Sequence, residues 1–273
     1  MKMIKLRNAI AAMATAVMLL TPMQAQSFDW LRAASGATKA IQSMTLSDAQ
    51  VRNYVGQYVA DLDKKSKIAP ENSPYTIRLK KLTSGLKSVD GVPLNFKVYI
   101  TNDINAFACA DGSVRVYSGL MDLMNDDEVL GVIGHEVGHV AHKHTKKAIK
   151  QALLTSAARE ALASGSGIVA TLSASQIGAI GEALVSSKYS KSQETDADNY
   201  GYDFLKKSGK NPWAMAQAFK KLMSMEKSSG SVSKSVKNLF SDHPSTEKRI
   251  ENMEKKARKD KYPVPSGYTP LTK

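Results

Sequence analysis

His135-Glu136-Val137-Gly138-His139 sets two imidazoles four residues apart, with a carboxylate beside the first. On an α-helix this spacing leaves the rings about 40° apart around the axis, close enough to hold one metal ion between them. The glutamate can reach a water activated by such an ion and take its proton. Two imidazoles leave the ion short of a third protein ligand. Where a third histidine serves, it follows the second by six residues; here that position is Thr145, so the ligand must come from elsewhere. The candidate is Glu194, in Glu194-Thr195-Asp196-Ala197-Asp198. Glu194 and Asp198 share a helical face with Ala197, Gly201 and Leu205, where two unpaired carboxylates would be costly to bury. Metal ligation by Glu194 and a hydrogen bond between Asp198 and a ligand histidine would satisfy both. Asp196 points off that face and reads as surface. Spacing alone does not choose between Glu194 as a ligand and as an ordinary acidic side chain. Two imidazoles plus a carboxylate suit zinc.

The histidines need a helix packed from behind. With His135 at 0° and about 100° per residue, Val129, Leu130, Ile133, Val137, Val140 and Ala141 fall between roughly 120° and 240°. The apolar face therefore lies opposite the pair. Asn125 is a suitable N-cap, followed by Asp126, Asp127 and Glu128 where the helix dipole favours negative charge. Gly131, Gly134 and Gly138 form a stripe, and because glycine weakens a helix, this predicts close approach by another backbone. On the same wheel His142 falls on the metal face almost two turns on. His144 falls among the apolar residues and reads as a core histidine.

Upstream, Leu46 to Lys67 repeats apolar residues at three and four, and Tyr75 to Lys87 gives a second amphipathic helix. Phe96, Val98 and Ile100 alternate as a strand. Asn105 to Ala110 and Ser113 to Tyr117 flank the turn pair Asp111-Gly112. Downstream, helices are expected near Gln176 to Lys207, from Pro212 to Met225, and after Asp242-His243-Pro244. Gly165 to Ser173, rich in Gly, Ser and Ala, reads as a connector that gates access.

Lys2, Lys5 and Arg7, the apolar run Ala9 to Leu20, and small residues up to Ala25 form the three-part pattern of a secretory signal. Removing it takes three positive charges from a formal net charge of +13 and places the mature chain in a periplasm or outside the cell. No cysteine follows the apolar run, so lipid attachment is not expected. Cys109 is the sole cysteine, which excludes an internal disulfide framework, and it reads as a buried thiol. The basic stretch Lys248 to Lys261 is interleaved with acids and lacks aromatic platforms for bases, so nucleic acid is not an expected partner. The excess positive charge leaves peripheral contact with membrane or envelope proteins open. Oligomeric state is not legible.

These segments together resemble the zinc metallopeptidase family of the CAAX prenyl proteases and HtpX, metallopeptidase family forty-eight, in its soluble periplasmic bacterial form. Asn105-Ala106-Phe107 matches the family's strand, and Ser118-Gly119-Leu120 the turn before its zinc helix. The His135 to His139 motif with His144, the E-x-x-A-D of Glu194 to Asp198, and Asp242-His243-Pro244-Ser245 with Arg249 follow in order. The resemblance implies an α+β, mainly α, zincin-like (gluzincin) catalytic domain with a small β-sheet over the active-site helix. The expected organisation is a signal peptide over 1–25, a helical segment over 26–90 packed on the catalytic domain, and the metallopeptidase domain over 91–273. His135, His139 and Glu194 would bind one Zn2+, leaving a corner for water. Glu136 would act as general base, Asp198 would orient a ligand histidine, His243 would stabilise the oxyanion, and Arg249 would brace the site. Asn105, Ala106, Phe107 and Ala108 would form the edge on which an extended substrate pairs. The implied function is endopeptidase cleavage of unfolded or misfolded extracytoplasmic proteins. The alternative is a chaperone-like or assembly factor of the envelope that binds polypeptides more than it cleaves them.

Overall fold

A computed structural model describes residues 47–164, 178–181, 183, 189–228, 243 and 247–272. The expectations for the signal at 1–25, the segment up to residue 46, the connector at 165–173, and Asp242, Pro244 and Ser245 lie outside them.

The described part is mainly helical with two small sheets. Helix α1 (Asp48–Lys65) starts in a capping box between Ser47 and Gln50 and buries Val51, Val55 and Val59, one per turn. Helix α2 (Pro74–Thr83) has Ser73 as its cap and Pro74 at its first position. It ends at Thr83, short of the expected Lys87. A hairpin follows, β1 (Ser88–Val89) with β2 (Val92–Pro93), turning through Asp90 and Gly91, both at positive φ.

The main sheet has the order β3-β5-β4, from β3 (Asn95–Tyr99), β4 (Ala106–Ala108) and β5 (Ser113–Tyr117). The expected turn at Asp111-Gly112 joins antiparallel β4 and β5, whereas β3 runs parallel to β5 on its other side. Gly112 has φ +90°, and a Cβ there would stand 1.9 Å from the Pro93 carbonyl oxygen. Strand β4 is therefore an edge. Ala106 and Ala108 are buried, and their small side chains let β4 lie close against the helix behind it.

After the short α3 (Ser118–Leu123) comes α4 (Asp126–Ala141), capped by a reciprocal Asn125–Glu128 box and buried from Glu128 to Val140. Val129, Val132, Ile133, Val137 and Val140 join the core formed with the sheet. Helix α4 stops at Ala141, and Lys143 takes a left-handed φ of 60° that reverses the chain into α5 (His144–Ser164).

Helix α6 (Lys191–Lys207) makes the tightest contact with α4. A Cβ on Gly138 would lie 3.1 Å from the Ala197 Cα, and one on Gly201 would lie 3.0 Å from the His135 amide nitrogen. Gly134 and Gly138 of the stripe thus meet the α6 backbone, whereas Gly131 packs on the Met215 and Leu205 side chains. Helices α7 (Trp213–Ser228) and α8 (Glu247–Lys259) close the second core around Leu130, Tyr202, Leu205, Trp213, Ile250 and Met253. Glu254 of α8, fully buried, accepts hydrogen bonds from the Tyr268 hydroxyl, the Leu271 and Thr272 amides and the Thr272 hydroxyl, which straps the C-terminal segment to the helix. No helix among the described residues is long and apolar enough to cross a membrane.

Candidate metal centre

Four side chains from three segments converge. His135 and His139 come from the third and fourth turns of α4, Glu194 from the first turn of α6, and His243 from just before α8. Each offers one ligand atom, and the four atoms lie within 4.8 Å of one another. His139 Nε2 is 3.1 Å from His135 Nε2 and 3.4 Å from Glu194 Oε1. His243 Nδ1 is 3.2 Å from His135 Nε2 and 3.0 Å from Glu194 Oε1. His135 Nε2 and Glu194 Oε2 are 3.8 Å apart.

These separations fit a bound cation. Ligands at 2.0–2.1 Å from one ion in tetrahedral array stand about 3.4 Å from each other. Imidazole nitrogens this close repel through their lone pairs unless a cation or proton lies between them. The donor chemistry, three imidazoles and a carboxylate, suits a borderline ion such as zinc. His243 supplies the fourth donor in this arrangement, and its Nε2 lies 3.7 Å from Glu136 Oε1. Glu136 itself is buried on α4, next to His135.

The surrounding charges hold these side chains in place. Asp198 Oδ1 lies 2.9 Å from His135 Nδ1. Arg249 forks onto Asp198, with Nε donating to Oδ2 at 2.9 Å and Nη2 to Oδ1 at 2.6 Å. Its Nη1 forms an ion pair with Glu194 Oε2 at 2.7 Å, and this carboxylate oxygen has no hydrogen-bond partner among the described residues. The Arg249 guanidinium rests on the Phe219 ring, 4.4 Å from its centroid.

Burial drives the His139 imidazole down to about 2, against the pull of Glu194, so the ring is neutral as ligation requires. Burial would raise Glu194, but bonds from His139 and His243 and the charge of Arg249 hold it well below the usual carboxylate range. Asp198 is lowered likewise, the Arg249 charge outweighing burial. Burial would lower His243, yet the Glu136 charge and the Glu194 bond raise it.

Two contacts were not legible in advance. Tyr189 stacks on His139 at 3.9 Å between centroids, and nothing in its local sequence signals this. His144 does not sit behind the apolar face as the helical wheel placed it. Because α4 ends and turns at Lys143, His144 comes back to put its Nδ1 3.1 Å from His139 Nδ1. It is buried, and burial lowers its pKa. Asp196, half-buried, lies with Oδ2 3.8 Å from His144 Nε2.

Along β4, Asn105, Phe107 and Cys109 face β5, as the bonds from Tyr117 N to Asn105 O and from Cys109 N to Ser113 O show. The polar backbone groups of Ala106 and Ala108 therefore point outward. Asn105 Oδ1 accepts from the Ala106 amide at 2.8 Å, leaving the Ala106 carbonyl and both Ala108 groups directed at the open edge. Cys109 is fully buried, and burial pushes its thiol well up. It is inert by this measure and is outside the metal group.

Residues 79–257 match the sequence model of peptidase family M48. The chain belongs to peptidase family M48. It is 44% identical over 250 residues to the metalloprotease LoiP of Escherichia coli (strain K12), covering 91% of this chain and 96% of that one. It is 38% identical over 246 residues to the metalloprotease YcaL of the same organism, covering 89% and 94%. The beta-barrel assembly-enhancing protease of Escherichia coli is more distant, 25% identical over 265 residues, and this chain spans 52% of its length. This member of the family is a metalloprotease, and the converging histidines and glutamate are its candidate metal centre.

Proposed function

We propose that this chain is an extracytoplasmic zinc endopeptidase of zincin-like fold that acts on extended, unfolded stretches of polypeptide. One observation carries the reading: His135, His139 and Glu194 bring their ligand atoms, with that of His243, within 4.8 Å of one another on and beside the helix that buries Glu136. Held by those three residues, zinc would polarise the scissile carbonyl and make water acidic enough to attack at neutral pH. Glu136 takes the proton of the attacking water and returns it to the leaving amine. Asp198, pinned by Arg249, fixes the ring of His135. His243, whose Nε2 lies 3.7 Å from Glu136 Oε1, would donate to the oxygen on which charge develops. The outward groups of Ala106 and Ala108 pair with the backbone of an extended chain, which favours unfolded segments over folded ones.

The basic start and apolar run of the first twenty-five residues support export, and the mature N-terminus read by sequencing tests it. The relative named for beta-barrel assembly supports envelope polypeptides as substrates. The decisive measurement compares casein cleavage by wild type and Glu136→Gln, with metal content determined for both. The variant is expected to keep about one zinc per chain and lose about 10²–10⁴-fold in rate. Equal cleavage by both forms overturns the mechanism, and full rescue of a deletion strain by the variant points to the binding role instead.

A further inference from the structure

The two ligand histidines are backed by different chemistry. His135 turns its second nitrogen to Asp198, a carboxylate locked by Arg249. His139 turns its second nitrogen to another imidazole, with 3.1 Å between the two Nδ1 atoms. Both rings are buried, His139 completely, so water does not substitute for this contact. Two Nδ1 atoms at that distance need one proton between them: one ring must donate and the other accept. If His139 binds metal through Nε2, its lone pair there is committed and its proton sits on Nδ1. His144 must then accept at Nδ1 and carry its own proton on Nε2. That Nε2 faces Asp196 Oδ2 at 3.8 Å, and Asp196 opens onto a cleft shared with His142, Asp203 and Lys207.

We propose that His144 is a positioning residue for the metal centre, accepting the Nδ1 proton of His139 and so fixing its tautomer and ring plane, with Asp196 steadying the far side of His144. The inference rests on the metal reading above and adds to it a neutral imidazole where the other ligand has a carboxylate. The left-handed turn at Lys143 is what delivers it, since a helix continued through that point would carry His144 to the opposite face.

Zinc affinity, measured by competition with a chromophoric chelator, tests the proposal apart from catalysis. His144→Leu fills the space without an acceptor and is expected to bind zinc about 10–100-fold more weakly. His144→Asn places its carbonyl oxygen where Nδ1 was and is expected to recover affinity to within about threefold of wild type. Leu binding like wild type, or Asn binding as weakly as Leu, overturns the proposal. Circular dichroism of each metal-free variant, matched to wild type, separates lost ligation from a failure to fold. Nitrogen-15 spectra of the zinc-loaded protein are expected to show His139 protonated at Nδ1 and His144 bare there, and the reverse assignment overturns the proposal too. If wild type binds no metal at all, the metal reading fails first; if it binds and the variants do not discriminate, this inference alone fails.

Discussion

Arg115 and Arg249 are both buried guanidinium groups gripping a carboxylate in a fork, and their surroundings end differently. On the sheet, Arg115 donates through Nε and Nη2 to Asp63 at 2.8 and 3.0 Å, and through Nη1 to the Asn95 carbonyl. Asp63 also receives Lys97 at 2.7 Å and the Tyr99 hydroxyl at 2.6 Å. That cluster closes on itself. At the ends of α6 and α8, Arg249 holds Asp198 and leans on Glu194, yet a Glu194 oxygen and a ring nitrogen from each of three histidines still point at a common centre. A charge network built for stability satisfies its own members, whereas one built for chemistry leaves donors aimed at something to be added.

Removing a donor from the second cluster gives the largest effect. His139→Ala is expected to reduce metal from about one ion per chain to below a tenth and to abolish proteolysis, as read by elemental analysis of dialysed protein; full retention of metal would put the ligand assignment in error. Next comes a substitution at each arginine. Arg249→Met strands two buried carboxylates and is expected to cost about 3–5 kcal/mol in urea unfolding of the metal-free protein, and distinctly less with zinc, which restores a cation beside Glu194. Arg115→Met is expected to destabilise by the same amount with and without zinc. If the two arginines respond alike to the metal, the contrast drawn above is wrong.

The smallest effect is one of pH. Burial raises the Asp63 carboxyl, but hydrogen bonds from Arg115, Lys97 and Tyr99 win and bring it to about 2 from 3.8. A depressed acid stabilises the fold above its unfolded pKa, and that contribution fades as pH falls through its folded one. Between about pH 4 and pH 2 the wild type is expected to lose about 2 kcal/mol relative to Asp63→Asn. A gap between the two urea midpoints that stays constant over this range would deny Asp63 the role.

How much of this was legible in the sequence depended on how local the signal was. Helix α4 carried its own cap, acidic first turn and apolar face, and its glycines announced a close neighbour. Glu194 and Asp198 stood out because the rest of their helical face is small or apolar, and the structure buries that face. The parallel pairing of β3 with β5 was not legible, because it joins segments separated by β4 and no local pattern encodes it. The β1–β2 hairpin escaped because two-residue strands show no alternation, and the helical periodicity before it ran on past Thr83. The place of His144 was misread for a different reason: a helical wheel assumes an unbroken helix, and Lys143 is an unusual residue to find in a left-handed turn. Arg249 joins Glu194 to Asp198 only through the packing of α8, and only the family resemblance pointed to it.

The bare contact between α4 and α6 has a dynamic corollary. At Gly134, Gly138 and Gly201 one main chain comes to rest on the other, with little room for the paired helices to slide. Glu194 cannot drift from the histidines without the two rods parting along several turns. Escape of a captured ion should therefore keep pace with the breathing of the whole bundle, and hydrogen exchange at amides along that seam should run on the same clock as loss of the ion.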